Sequence, residues 1–329
     1  MPNYIDLFCG VGGIRRGMDS QQNFQCVFSS DINEECQRTY QENYGDMPFG
    51  DITLADENLD IPDHDILCGG FPCQPFSICG LQHGFEDTRG TLFFDICRIL
   101  RAKQPEVVFL ENVKHLVHHD RGNTLDTILN KLRELGYNVS WRVLNAVDFG
   151  VPQNRERIII IGSLHGRFDF DRVQTVDRVN LVNFLDEQGE FEFLDPDDYT
   201  ILDNPVRQRG SGLMFAGYRN RRIRVAGVRP GTEHLSRVHK QPNRIYSVFG
   251  THPTLPSQET SGRFFVLLED GCTVRKLTLN ECWRIMGFPE EFIRPSSIAE
   301  QYKQLGNSVC VPMIAAVAQE INNQFFGGV

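Results

Sequence analysis

Cys73 lies in the pentapeptide Gly70-Phe71-Pro72-Cys73-Gln74, directly after an apolar run, Asp65-Ile66-Leu67-Cys68-Gly69. The run reads as a short buried strand ending in glycines. A Pro-Cys turn at a strand end points its side chain off the sheet edge, which suits a reactive thiol. Most free cysteines are instead small buried hydrophobes, so a nucleophilic Cys73 needs partners. Glu111, in Leu110-Glu111-Asn112-Val113, ends another apolar run and falls on the same rim of a parallel sheet. A carboxyl in a partly apolar cleft can have its pKa raised and donate a proton. Gln153-Asn154-Arg155-Glu156-Arg157 carries two arginines that face the same way if the chain is extended, and guanidinium groups suit a carbonyl or a phosphate.

A glycine-rich segment, Asp6-Leu7-Phe8-Cys9-Gly10-Val11-Gly12-Gly13, follows the first apolar run. Glycines there let a ligand approach the backbone, and a helix behind them offers free N–H groups. Asp31, at the end of the next strand, can accept from ribose hydroxyls. Asp51, placed at the end of a third short strand, can accept from an adenine amino group. A nicotinamide dehydrogenase is the natural rival. Against it, the loop is Gly-x-Gly-Gly and not Gly-x-Gly-x-x-Gly, and position 15 is Arg. That rival also leaves the Pro-Cys and Arg segments without a use.

These residues need a frame. Residues 4–9, 25–30, 65–69, 106–110, 139–144 and 157–162 read as strands, and 14–22, 33–43, 91–103 and 123–135 as helices. This βαβ succession predicts an α/β fold with a doubly wound, mostly parallel sheet, whose ligands bind beyond the strand C-termini. After Gly162 the periodicity weakens and turn residues multiply, which predicts a second, smaller, irregular β-rich domain. Helical character returns at 279–286, and Pro312–Phe325 reads as a helix packing back on the first domain. The expected division is 1–175 with 300–329 as the catalytic domain, and 176–299 as the second domain with a hinge segment.

Composition bounds the rest. The chain has 329 residues, 40% of them apolar and 23% charged, ordinary values for a soluble globular protein. No apolar stretch approaches the roughly 18 residues of a membrane span, and no signal peptide precedes the first strand, so the expectation is no membrane and a cytoplasmic location. The ten cysteines form no Cys-x-x-Cys pair, which predicts free thiols and no metal. His115, His118 and His119 read as a solvated turn. Net charge is −10, yet residues 201–250 hold ten Lys/Arg against two acids. An acidic body with one basic segment fits a protein that meets a polyanion on a single face.

In order and spacing, these segments resemble the motif set of the DNA (cytosine-5) methyltransferases. The set is Asp-Leu-Phe-x-Gly-x-Gly-Gly, Gly-Phe-Pro-Cys-Gln, Glu-Asn-Val, Gln-x-Arg-x-Arg, Arg275-Lys276-Leu277-Thr278 through Glu281-Cys282, Met286-Gly287-Phe288-Pro289, and Gln304-Leu305-Gly306-Asn307-Ser308-Val309. It covers residues 4–162 and 275–320, and the size resembles the stand-alone bacterial restriction–modification enzymes. The resemblance implies a fold of the S-adenosylmethionine-dependent methyltransferase type, with the second domain recognising the target. It implies methyl transfer to C5 of a flipped-out cytosine in a short site of double-stranded DNA, by transient addition of Cys73 to C6. Glu111 would bond N3 and the exocyclic amine, Arg157 the ring O2, and Arg155 would support the loop or the thiolate. S-adenosylmethionine, leaving as S-adenosylhomocysteine, would meet Phe8, Gly10, Val11, Gly13, Asp31, Ile32, Asp51, Ile52, Pro72, Leu92, Asn307 and Val309.

By the same resemblance residues 72–91 form a lid, with Ser77, Cys79 and Arg89 toward DNA. Gln241 would fill the gap left by the cytosine, Arg244 would read a guanine, and Thr254 would touch the backbone nearby. The expected protein is a bacterial monomer that protects chromosomal DNA from a cognate restriction endonuclease without binding it. The tRNA-modifying relatives are the runner-up. They lack so long and basic a recognition segment, and the Cys-Phe-Thr motif typical of them is not found in this chain. A catalytically silent relative would be expected to lose Cys73 or Glu111, and both are present.

Overall fold

The computed structural model describes residues 1–72, 92–220, 232, 235 and 238–327. In chain order the elements begin β1 (Asn3–Leu7), α1 (Gly13–Met18), β2 (Gln25–Ser30), α2 (Glu34–Tyr44) and β3 (Ile66–Gly69). There follow α3 (Leu92–Lys103), β4 (Val107–Val113), α4 (Asn123–Glu134), β5 (Asn138–Asn145), β6 (Gln153–Asn154) and β7 (Glu156–Ser163). The later part holds β8 (Tyr199–Arg207), β9 (Met214–Arg219), β10 (Arg244–Ser247), β11 (His252–Pro253), β12 (Phe265–Leu267) and β13 (Val274–Lys276). Three helices close the chain, α5 (Leu279–Arg284), α6 (Ile298–Asn307) and α7 (Val311–Phe325). Among the described residues no helix is long and apolar enough to cross a membrane.

The chain divides into two compact units. The first comprises Met1–Leu144, Glu156–Thr175 and Val311–Val329, the second Asn145–Arg155 and Val176–Cys310. In the first unit six strands are ordered β2-β1-β3-β4-β7-β5. β2, β1, β3 and β4 run parallel, and β7 pairs antiparallel with β4. β3 is buried throughout and β4 is buried up to Asn112, as expected where helices cover both faces of a parallel sheet. The core gathers Ile5 and Leu7 of β1, Leu67 of β3, Val108 and Leu110 of β4, and Ile96, Leu100, Ile128 and Leu132 from the helices. α7 returns to this unit and packs on α1, close enough that a Cβ on Gly17 would lie 2.5 Å from Ile314 Cβ.

The second unit is built on a five-stranded sheet, β13-β12-β10-β9-β8, beside a two-stranded β11-β6 pair. Alternation sends neighbouring residues to opposite faces. Ala216, Ile245, Phe265, Leu267 and Val274 pack on one face, and Leu213, Phe215, Tyr218 and Tyr246 on the other. α5 opens with a capping box in which Thr278 and Glu281 satisfy each other's backbone. Arg275 clasps the Glu281 carboxylate with two bonds of 2.9 and 2.6 Å in the buried interior.

Two sequence expectations require correction. The third strand before Asp51 reduces to a single parallel bridge between Ser30 and Phe49. Pro48 precedes that bridge and has no N–H to extend a ladder. The boundary after Thr175 stands, but residues 145–155 and 300–310 group with the second unit. β6 pairs with β11 through Gln153 and His252. α6 is held by a bond from Trp283 Nε1 to Gln301 Oε1 and by Tyr302 against Phe264. Such long-range pairings leave no trace in local periodicity.

Candidate functional site

The first unit assembles its site at the carboxyl ends of its parallel strands. β1 ends at Leu7, and Phe8 follows in the left-handed region with φ 57°, a conformation that costs a non-glycine residue about 1–2 kcal/mol. Such strain persists where the surroundings enforce it. Gly10, at φ 54°, has no atom within 4 Å of the position a Cβ would occupy, so the loop presents open backbone at that point. Its N–H donates to Asp31 Oδ2 at 2.8 Å, while Asp31 Oδ1 accepts from the Asn33 N–H at 2.8 Å. Burial raises the Asp31 carboxyl above its ordinary value, against the pull of these two N–H groups. Each oxygen keeps a further lone pair for a ligand hydroxyl.

Beneath this loop Asp6 is fully buried. Burial pushes its carboxyl up to about 8, against the Arg15 charge and backbone N–H, so near neutral pH it is mostly uncharged. Val11 is buried, and Gly13 is the first residue of α1. Ile32 is 73% exposed beside Asp31, and Ile52 is buried. Asp51 caps a short 3-10 turn through bonds from the Thr53 N–H and hydroxyl to its Oδ1. Pro72 is exposed just beyond β3, and Leu92 opens α3. Phe8, Gly10, Val11, Gly13, Asp31, Ile32, Asp51, Ile52, Pro72 and Leu92 therefore all belong to segments that follow the parallel strands or open the helices behind them. An open loop backed by a half-buried carboxylate fits a nucleoside with free hydroxyls. Asn307 is exposed and Val309 buried, both within the second unit.

Glu111 and Arg157 meet in the same unit. In the antiparallel β4–β7 register Glu111 faces Ile159 and Val113 faces Arg157, a two-residue offset within reach of long side chains. Arg157 Nε lies 2.9 Å from Glu111 Oε1, with both side chains largely buried. Arg157 Nη1 also donates to the Glu156 carbonyl at 2.8 Å. A Cβ built on Gly70 would lie 3.7 Å from Glu111 Oε2. One residue on, Asn112 Nδ2 donates to the Phe71 carbonyl at 2.8 Å in the buried interior. Phe71 is itself buried, with its ring against Phe93. β4 therefore holds the chain at Phe71 through Asn112, with Glu111 beside Gly70. Cys73, Ser77, Cys79, Arg89 and the 72–91 lid beyond Pro72 lie outside the described residues, as do Arg221, Arg222, Arg224, Arg229 and Arg237 of the basic run.

Arg155 belongs to the second unit. It is 1% exposed there. Its Nη2 donates to the Gly306 carbonyl at 2.9 Å and to the Ser308 carbonyl, one on each side of Asn307. The chain turns just before Arg155, whose N–H closes on the Gln153 carbonyl at 3.0 Å. Among the described residues, Arg155 thus grips the Gly306–Ser308 turn. That turn is also tight on its other side, since a Cβ on Gly306 would lie 2.4 Å from the Ser257 backbone nitrogen.

The candidate DNA readers lie in the second unit. Gln241 is exposed at the start of a 3-10 turn, and Arg244 opens β10 opposite Tyr218. Arg244 Nε donates to the His239 carbonyl at 2.9 Å, and His239 stacks on Tyr218 with ring centroids 4.0 Å apart. This bond anchors the guanidinium, which meets no carboxylate among the described residues. Thr254 Oγ1 donates to the Asn154 carbonyl at 2.8 Å. Arg219, also in the basic run, sits over the Phe265 ring at 4.8 Å. Two positioning residues escaped the sequence reading. Asn112 stood inside a quoted motif without a role. Gln153 is fully buried, bonding the Ile285 carbonyl through Nε2 and the Leu255 N–H through Oε1.

Comparison with known proteins agrees with this geometry. The family model described as C-5 cytosine-specific DNA methylase matches residues 3–323. The type II methyltransferase M.NlaX of Neisseria lactamica is 44% identical over 322 residues, covering 96% of this chain and 95% of that one. The type II methyltransferase M.HhaI of Haemophilus parahaemolyticus is 40% identical over 332 residues, covering 97% and 94%. Among solved structures, the S. pombe Dnmt2 methyltransferase superposes with a TM-score of 0.71 at 20% identity, covering 99% of this chain and 100% of that one, which shows a shared fold. With a family match running nearly end to end and relatives at 40% and 44% identity over almost their whole length, the chain belongs to the C-5 cytosine-specific DNA methylases and is a DNA (cytosine-5) methyltransferase.

Proposed function

We propose that this enzyme methylates C5 of one cytosine within a short site in duplex DNA, on a base flipped out of the helix, through a transient bond from Cys73 to C6. The observation that carries this reading is the grip of β4 on the segment entering Cys73: Asn112 holds the Phe71 carbonyl while Glu111 lies beside Gly70. The described chain thus approaches position 73 beside a carboxyl that is paired with a guanidinium. A stacked base cannot reach such a site, and unstacking costs a few kcal/mol.

Cytosine C5 is a weak nucleophile. Addition of the Cys73 thiolate to C6 sends the 5,6-double-bond electrons to C5. Glu111 bonds N3 and the exocyclic amine, stabilising the ring as charge develops on it, and Arg157 bonds O2. S-adenosylmethionine, when bound, supplies an electrophilic methyl group on a sulfonium centre. Its binders are the open Gly10 backbone, the Asp31 carboxylate, and the Phe8, Val11, Gly13, Ile32, Asp51, Ile52, Pro72 and Leu92 surfaces. Asn307 and Val309 are assigned to it on their motif alone. After methylation a base takes the C5 proton, the double bond re-forms, and the thiolate leaves. Cys73 activates the base and never carries the methyl group.

We assign target recognition to the second unit, with Arg244 reading a guanine, Gln241 filling the vacated stack and Thr254 near the backbone. The enzyme acts as a monomer in the cytoplasm, in a restriction–modification system whose endonuclease shares the site without binding it. The test is incubation with tritium-labelled S-adenosylmethionine and mixed-sequence duplex DNA, followed by digestion to nucleosides. All label is expected in 5-methylcytosine and none after Cys73→Ser. Label in another nucleoside, or undiminished label in the variant, would overturn the mechanism.

A further inference from the structure

Gly10 and Gly12 are the two alternate peptides on which the curvature of residues 8–13 depends. Asp31, from the strand end before α2, holds the first. The second is held from the far end of α2, by a residue outside every motif. Tyr44 is the last residue of that helix, which stops there because Gly45 takes a left-handed cap at φ 82° and returns its N–H to Gln41. The Tyr44 hydroxyl donates to the Gly12 carbonyl at 2.7 Å. The same carbonyl accepts the Arg16 N–H at 2.8 Å, the opening bond of α1, so both its lone pairs are engaged.

The ring is locked as well as the hydroxyl. Gly12 has φ 80°, and a Cβ there would lie 2.3 Å from Tyr44 Cε2. On its other side the Arg15 guanidinium sits 4.5 Å from the Tyr44 ring centroid, a cation–π contact. Arg15 is in turn held by the Tyr40 hydroxyl at 3.2 Å and by Asp46 at 3.0 Å. The Tyr40 and Tyr44 rings lie 4.7 Å apart. Burial raises the Tyr44 phenol far above its ordinary value, so it remains a donor at any working pH.

We propose that Tyr44 is a positioning residue for the cofactor: its hydroxyl fixes the Gly12 peptide, and thereby presets the loop shape that S-adenosylmethionine requires. This rests on reading residues 8–13 as the cofactor loop.

Tyr44→Phe keeps the ring and removes one bond. Calorimetric binding of S-adenosylmethionine and S-adenosylhomocysteine is expected to weaken about fivefold, equivalent to about 1 kcal/mol. KM for S-adenosylmethionine should rise by the same factor, with kcat at saturating cofactor and Kd for DNA unchanged. Tyr40→Phe removes a hydroxyl of the same cluster that does not bond the loop. It should stay within about twofold of the parent in affinity, whatever melting temperature both variants show. Wild-type affinity in Tyr44→Phe, or equal weakening in Tyr40→Phe, would overturn the proposal. Phe8→Ala separates the two layers. If it binds cofactor as the parent does, the cofactor-loop reading fails and the proposal with it. If it weakens binding while Tyr44→Phe does not, only the role of Tyr44 fails.

Discussion

The two units of this enzyme treat buried and half-buried arginine differently. In the first, Arg157 is set against a carboxylate, Glu111, at 2.9 Å. In the second, carboxylate partners belong to the arginines that hold the fold: Arg275 on Glu281, and Arg284 on Asp186. Two arginines of the basic segment rest on main-chain carbonyls instead. Arg244 donates to His239 O and Arg207 to Phe249 O, and among the described residues neither meets a carboxylate. A carboxylate partner neutralises a guanidinium as it orients it. A carbonyl orients it and leaves a full positive charge for a phosphate or a base edge. The placement of partners therefore separates charges used within the protein from charges offered to DNA, a distinction that net charge alone conceals.

This contrast can be broken at several points. The largest effect belongs to Glu111→Gln, which keeps the side chain's shape and removes its charge. Single-turnover methyl transfer should fall about 10²–10⁴-fold, the usual range for a positioned acid–base group, while DNA binding persists. A loss below tenfold would remove Glu111 from the chemistry. Next comes Arg275→Met, which strands Glu281 in the interior. Denaturant unfolding should show about 3–5 kcal/mol of lost stability, and a loss under about 1 kcal/mol would show that this pair is not a structural one. The smallest effects separate the carbonyl-anchored arginines. Arg244→Ala should cost about 1–3 kcal/mol of discrimination at one guanine. Arg207→Ala should weaken all duplexes alike and lower the salt slope by about one. Binding to matched and mismatched sites at several salt concentrations separates the two, and equal behaviour would dissolve the distinction.

The sequence made the first unit legible because its strands are continuous apolar runs and its motifs sit at their ends. Glu111 lies one residue beyond the Leu110–Gly69 pair of β4 and β3, and a strand end in a parallel sheet can lie in few places. The partners of Arg155 were not legible, because the Gly306 and Ser308 carbonyls lie 151 and 153 residues away in sequence. Residues 145–155 and 300–310 were assigned to the wrong unit because their partners, His252, Ser257 and Trp283, lie far away in sequence. Tyr44 was invisible for a different reason. On the face of a helix, an aromatic that reaches a loop carbonyl has the same spacing as one that merely fills the core.

The central claim is the bond between Cys73 and C6, and one experiment addresses it directly. Bisulfite sequencing of modified DNA first identifies the target cytosine, and a duplex is then made with 5-fluorocytosine at that position. After addition and methylation this base has no C5 proton to lose, so the thiolate cannot be expelled. With S-adenosylmethionine present, the account predicts a denaturation-resistant protein–DNA conjugate whose peptide map places the base on Cys73, and no conjugate from Cys73→Ser. Attachment at another residue, or no conjugate from an enzyme that methylates ordinary DNA, would contradict it.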